Sequence, residues 1–75
     1  MIQYQIKLNI DQVKDFVNAA SRCDFDIDIA YNSFIVDAKS IVGVLGLDLR
    51  KIMTVTCSDY DPDFNLYMKQ FAVAC

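Results

Sequence analysis

Apolar and polar residues exchange places along this chain with two different periods. Over residues 2–8 the exchange is strict, with Ile2, Tyr4, Ile6 and Leu8 on one side and Gln3, Gln5 and Lys7 on the other. A period of two predicts a half-buried strand. At Asn9 the period changes. Ile10, Val13, Phe16, Val17 and Ala20 recur at helical spacing, and polar residues fill the remaining face. Asn9 is a favourable N-cap, and Gln12 three residues on completes a capping box. This helix is expected to end near Cys23. Alternation then returns, with Phe25, Ile27, Ile29 and Tyr31 opposite Asp24, Asp26 and Asp28. Asn32-Ser33 supplies a two-residue turn, and residues 34–37 complete a hairpin.

Residues 40–49 predict a short helix that begins at Ser40 or its neighbour and is weakened at its end by Gly46. Residues 52–57 are β-branched and alternating, which predicts a fourth strand. Asp61-Pro62 marks a helix start, with Asp as N-cap, Pro at the first helical position and Asp63 in the first turn. Phe64, Tyr67, Met68, Phe71 and Cys75 then form an apolar stripe. The order is βαββαβα. Each strand has one apolar and one largely polar face, the short third strand being ambiguous. That pattern predicts a single sheet covered by helices on one side, an open-faced sandwich. Residues 1–75 are read as one domain, because a chain of this length buries only about 60% of its unfolded surface and has no room for a deep enclosed site.

Composition narrows the function. Ten acidic residues stand against seven basic ones, a net charge of −3. That balance argues against nucleic acid and against anionic membranes, both of which call for a basic face. Uncharged runs such as residues 40–47 fall far short of the roughly 18 residues a spanning helix needs. With no basic segment followed by an apolar stretch at the N-terminus, no signal peptide is expected, and the cytoplasm is the expected compartment. The chain has no histidine, so histidine general-base catalysis, histidine metal ligation and phosphohistidine chemistry have no side chain to use. Cys23, Cys57 and Cys75 form no CxxC pair and are read as reduced packing thiols.

Asp24, Asp26 and Asp28 have the start of a calcium-loop spacing. However, Ile29 stands where such a loop needs glycine and Ile35 where it needs glutamate. Strand alternation accounts for the spacing, and helix capping accounts equally for Asp59, Asp61 and Asp63. No metal site and no cofactor is expected. The cysteines lack a histidine base, Lys14, Lys39 and Lys51 have no evident acid partner, and no catalytic residue is assigned. Ser40 is more informative. A serine at this point is an N-cap on general grounds, and a phosphate there would be stabilised by the helix end and its open N–H groups. The helix after it carries Ile41, Val42, Val44, Leu45 and Leu47, too many apolar groups for one buried stripe. Val44 and Leu47 can be buried together, which leaves Ile41, Val42 and Leu45 partly exposed as a docking surface or as a face covered by the third helix or a second copy.

These residues also carry a resemblance. Ala20-Ser21-Arg22-Cys23-Asp24-Phe25-Asp26-Ile27, Tyr31-Asn32 and Ala38-Lys39-Ser40-Ile41-Val42-Gly43-Val44-Leu45-Gly46-Leu47 resemble HPr, the histidine-containing phosphocarrier family of the bacterial sugar phosphotransferase system. The resemblance implies an α+β fold: an HPr-like open-faced β-sandwich of four antiparallel strands and three helices. It also implies a departure. The family holds its phosphohistidine in a G-x-H-x-R-P-A motif, whereas this chain reads Leu8-Asn9-Ile10-Asp11-Gln12-Val13 after a shorter loop. Asn9 or a near neighbour falls at the histidine position, Asp11 at the arginine and Gln12 at the proline. Ser40 matches the serine modified by HPr kinase/phosphorylase, and Lys39, Ile41, Val42 and Leu45 match positions presented to partners.

Serine kept and histidine lost is similar to the catabolite-repression HPr paralogue, whose partner is a catabolite-control transcription regulator. The leading expectation is a non-enzymatic regulatory or adaptor protein switched at Ser40. The alternative is a structural paralogue that keeps the fold and forms a homodimer through its second helix. A carrier using Cys23 or Asp11 as acceptor is a third reading, disfavoured because no base or electrophile accompanies either residue.

Overall fold

Strict alternation in the first segment becomes β1 (Ile2–Ile6) in the computed structural model, which describes residues 1–73. Six elements follow: α1 (Ile10–Ser21), β2 (Ile27–Tyr31), β3 (Phe34–Asp37), α2 (Ile41–Leu45), β4 (Met53–Cys57) and α3 (Pro62–Lys69). The four strands form one antiparallel sheet in the order β1-β4-β2-β3. This is the βαββαβα open-faced sandwich expected from the chain. Asn32 turns the β2–β3 hairpin with φ of 55°, a left-handed conformation that asparagine tolerates better than most residues.

The pairing register aligns side chains in rows across the sheet. Ile2, Cys57 and Ile27 form one row on the helix-covered face, and Tyr4, Val55, Ile29 and Val36 form the next. Val13, Phe16 and Ala20 of α1, Val44 of α2, and Phe64 and Met68 of α3 bury themselves against these rows. Each fully buried large apolar side chain contributes about 1.5–3 kcal/mol. The opposite face carries Gln3, Thr56, Asp28 and Asp37 in one row and Gln5, Thr54, Ala30 and Ile35 in the next. Among the described residues no helix covers that face, which is why the strands alternate. The register also resolves the third strand: Phe34 and Val36 belong to the helix side, Ile35 and Asp37 to the open side.

Several sequence expectations are corrected. Ile10 was expected on the buried stripe of α1 but is 69% exposed, at the first helical position. Helix α1 ends at Ser21 with Arg22 as C-cap, and Cys23 N–H still reaches the Ala20 carbonyl at 3.1 Å. Strand β2 begins at Ile27, since Asp26 is held instead by Ser58: Asp26 N–H donates to Ser58 Oγ at 3.2 Å. Helix α2 stops at Leu45, capped by Gly46, and 47–49 run on as loop. Cys75 of the α3 stripe lies outside the described residues. The chain after α3 also turns back along β1, where Val73 N–H donates to the Gln5 carbonyl at 2.9 Å and Lys7 N–H to the Phe71 carbonyl at 3.3 Å. Among the described residues, no helix is long and apolar enough to cross a membrane.

Candidate functional site

Both positions singled out from the sequence are helix N-caps, on helices that pack against each other. At the first, Gln12 N–H donates to Asn9 Oδ1 at 3.1 Å, and Asn9 N–H donates back to Gln12 Oε1 at 2.9 Å. This closed capping box engages the side chains of both residues, satisfying two of the open N–H groups at the head of α1. Asp11 stands exposed in the first turn, where a carboxylate suits the positive helix end. The Asn9 amide nitrogen has its lone pair delocalised into the carbonyl and offers no nucleophile to a phosphoryl group. The site therefore reads as a structural helix start.

Around this cap lies a feature the sequence reading missed. Leu8, Ile10, Leu47 and Leu49 line an apolar groove of about 580 Å³, with Lys7, Asn9, Asp48 and Arg50 at its borders. The loop after α2 brings Leu47 and Leu49 beside the head of α1. The available signal was Ile10 itself, an apolar residue directly after a cap. At the groove's edge Arg50 Nε meets Asp48 Oδ1 at 3.1 Å. Hydrogen bonding from Arg50 holds the Asp48 carboxyl below its ordinary range, though the pair is too exposed to contribute much to stability.

At the second position, Ser40 is exposed and caps α2, its Oγ accepting from Gly43 N–H at 3.1 Å. Gly43 sits close to the sheet: a Cβ there would lie 3.2 Å from Val36 Cβ and 3.4 Å from Ser40 Oγ. That close approach seats α2 on β3. Val44 and Leu47 are buried as expected, while Ile41, Val42 and Leu45 stand out, Val42 being 79% exposed. Lys39 is different from the others proposed to meet partners. It is half-buried, its ammonium donates to the Cys23 carbonyl at 2.8 Å, and its N–H donates to Asp37 Oδ1 at 2.9 Å. This lysine ties the end of α1 to the entry of α2. No described cation is hydrogen-bonded to Ser40.

The remaining sequence candidates are dispersed. Asp24, Asp26 and Asp28 are exposed, and among the described residues no three ligating side chains converge on a point that could hold a metal ion. Cys23 is buried, with Sγ 3.8 Å from both the Ala19 carbonyl and Asp61 Oδ2. Burial, then the Asp61 carboxylate, push its thiol up, which leaves it protonated and unreactive. Burial pushes Cys57 up to about 11.

The comparisons agree with this architecture. The family model for the PTS HPr component phosphorylation site matches residues 2–73. The fold is similar to that of a phosphocarrier protein HPr from Bacillus anthracis str. Ames, at 27% identity and a TM-score of 0.65, over 88% of this chain and 86% of that one. It is also similar to an HPr from Thermoanaerobacter tengcongensis, at 22% identity and a TM-score of 0.67, over 89% and 82% of the two chains.

Proposed function

The chain belongs to the HPr family, and on that premise we propose that it is a non-enzymatic regulatory or adaptor protein, switched by phosphorylation of Ser40, that does not relay phosphate through histidine. The observation that carries this reading is the pairing of an exposed Ser40 hydroxyl with the exposed Ile41, Val42 and Leu45 beside it, in a chain with no histidine and with Asn9 consumed by a cap.

The switch is local. The γ-phosphoryl group of ATP passes to Ser40 Oγ, the hydroxyl proton is lost and ADP leaves. About −1.5 to −2 charges then appear at the head of α2. Because Lys39 is already engaged with Cys23, the new phosphate is not neutralised within the chain and stays available to basic groups of a partner. The apolar residues next to it supply the buried part of such a contact. HPr kinase/phosphorylase is the proposed modifying enzyme, and a catabolite-control transcription regulator is the proposed class of partner. The charge at Asp11 is opposite to that of the family's arginine, so the partner contact is expected to rest on the α2 face rather than on the head of α1.

The test is intact-mass spectrometry after incubation with HPr kinase/phosphorylase and ATP, with Ser40→Ala as control. One added phosphate that is lost in the variant supports the reading. A fully unmodified chain under conditions that modify an authentic HPr would sink it.

A further inference from the structure

The two edges of the sheet are treated differently. Strand β1 is lined by the returning chain, through Val73 N–H on the Gln5 carbonyl and a bridge between Ile6 and Ala72. Strand β3 forms the other edge. Ala38 N–H donates to the Ile27 carbonyl at 2.9 Å, and Ile27 and Ala38 continue the β2–β3 register. Antiparallel pairs alternate between bonded and unbonded, so Val36 and Phe34 point their backbone groups inward. Ile35 points its N–H and C=O away from the sheet.

Among the described residues, no hydrogen bond outside the regular ladder reaches Ile35. Edge strands are commonly blunted by Lys, Pro or a bulge. The strand Phe34-Ile35-Val36-Asp37 contains neither residue, and Phe34 and Ile35 are 68% and 67% exposed.

We propose that β3 pairs with β3 of a second copy, antiparallel about a two-fold axis at Ile35, to give a continuous eight-stranded sheet. A second copy fits this edge in three ways. An outward N–H and C=O on one residue make a reciprocal pair of hydrogen bonds when Ile35 meets Ile35. The register then sets Phe34 against Val36 on the helix side and Ser33 against Asp37 on the open side. No like charges stand opposite each other, although the chain as a whole is acidic. The surface is also distinct from the docking face of α2: Gly43 and Val44 face the sheet, and Ile41 and Leu45 project on the other side of that helix. Four residues make a small interface, so the association is weak and depends on concentration.

Sedimentation velocity on the unmodified chain up to about 1 mM, the weak end of specific association, tests this. The expected result is a reversible dimer. Two variants exploit the two-fold axis, which places residue 35 opposite itself. Ile35→Lys and Ile35→Glu are each expected to weaken self-association about tenfold or more through like-charge contact, and an equimolar mixture of the two is expected to restore a heterodimer. Ile35 points away from the core, so both variants keep the native circular dichroism spectrum. A chain that stays monomeric throughout, or a dimer indifferent to both variants, or a mixture that does not associate, overturns the proposal.

Discussion

Replacing Asn9 with alanine asks how much the capping box contributes at the head of α1. The side chain accepts one hydrogen bond, from Gln12 N–H at 3.1 Å. Alanine removes it and leaves that N–H with the Asn9 carbonyl, to which it also donates at 3.0 Å, and with water. Loss of an Asn cap costs about 0.5–2 kcal/mol. The site is exposed, so water recovers part of the loss and the expected value is about 1 kcal/mol. For a chain of this length, whose total stability is on the order of 4–11 kcal/mol, that lowers the melting temperature by roughly 4–8 °C. Asn9→Asp keeps an oxygen acceptor and is expected to stay within a few tenths of a kcal/mol of the parent. Urea titrations of the parent, Asn9→Ala, Gln12→Ala and the double variant form a cycle. The reciprocal bond from Asn9 N–H to Gln12 Oε1 at 2.9 Å predicts that the two single losses do not add. Asn9→Ala with unchanged stability, or fully additive losses, would refute the claim that the box holds the head of α1.

Four further outcomes are expected. Ile29 is fully buried in the central strand β2, so Ile29→Ala is expected to lose about 2–5 kcal/mol in a denaturant titration; a loss below about 1 kcal/mol would contradict its place in the core. Tyr67 Oη is buried without a hydrogen-bond partner, so Tyr67→Phe is expected to leave stability unchanged or raise it, by up to about 1 kcal/mol, in the same titration. The Cys57 thiol is raised from 9.0 to about 11 by burial, so the unfolded chain loses this proton first. Its contribution is complete below pH 9 and falls away between pH 9 and 11, by about 1 kcal/mol at pH 10. Chemical denaturation of the parent and of Cys57→Ala across that window is expected to show a steeper decline in the parent, and parallel curves would rule the assignment out. Finally, Val42→Asp is expected to leave the melting temperature within a few degrees, since an exposed substitution changes stability by about 0.5 kcal/mol or less, while abolishing binding of the Ser40-phosphorylated chain to a partner in calorimetry.

Where the governing interactions span only three or four residues, the sequence was legible. The Asn9–Gln12 box, the Asp61-Pro62 start of α3 and the Asn32-Ser33 turn involve near neighbours, and each stands where its residue types predict. Strand periodicity sorted Ile27 and Ile29 from Asp28, because one face of the sheet meets helices and the other does not. The excess of apolar residues around Ser40 likewise announced an exposed face on α2. Less legible were features decided by residues far apart. Periodicity placed Ile10 inside, but in the fold it lines an open groove with Leu8, Leu47 and Leu49. The sequence offered Lys39 no evident partner, and the fold brings the Cys23 carbonyl to its ammonium.

The sequence by itself determined the element order, the two faces of the sheet and the absence of any histidine, since these depend on side-chain type and local spacing. Only the tertiary structure decided the strand order, the bond from Tyr4 Oη to Asn65 Oδ1 across 61 residues of chain, the groove between the head of α1 and the 47–50 loop, and the contrast between a lined β1 edge and an open β3. Each of these depends on which distant backbone groups meet, and periodicity carries no information about that: it assigns a residue to a face but not to a neighbour.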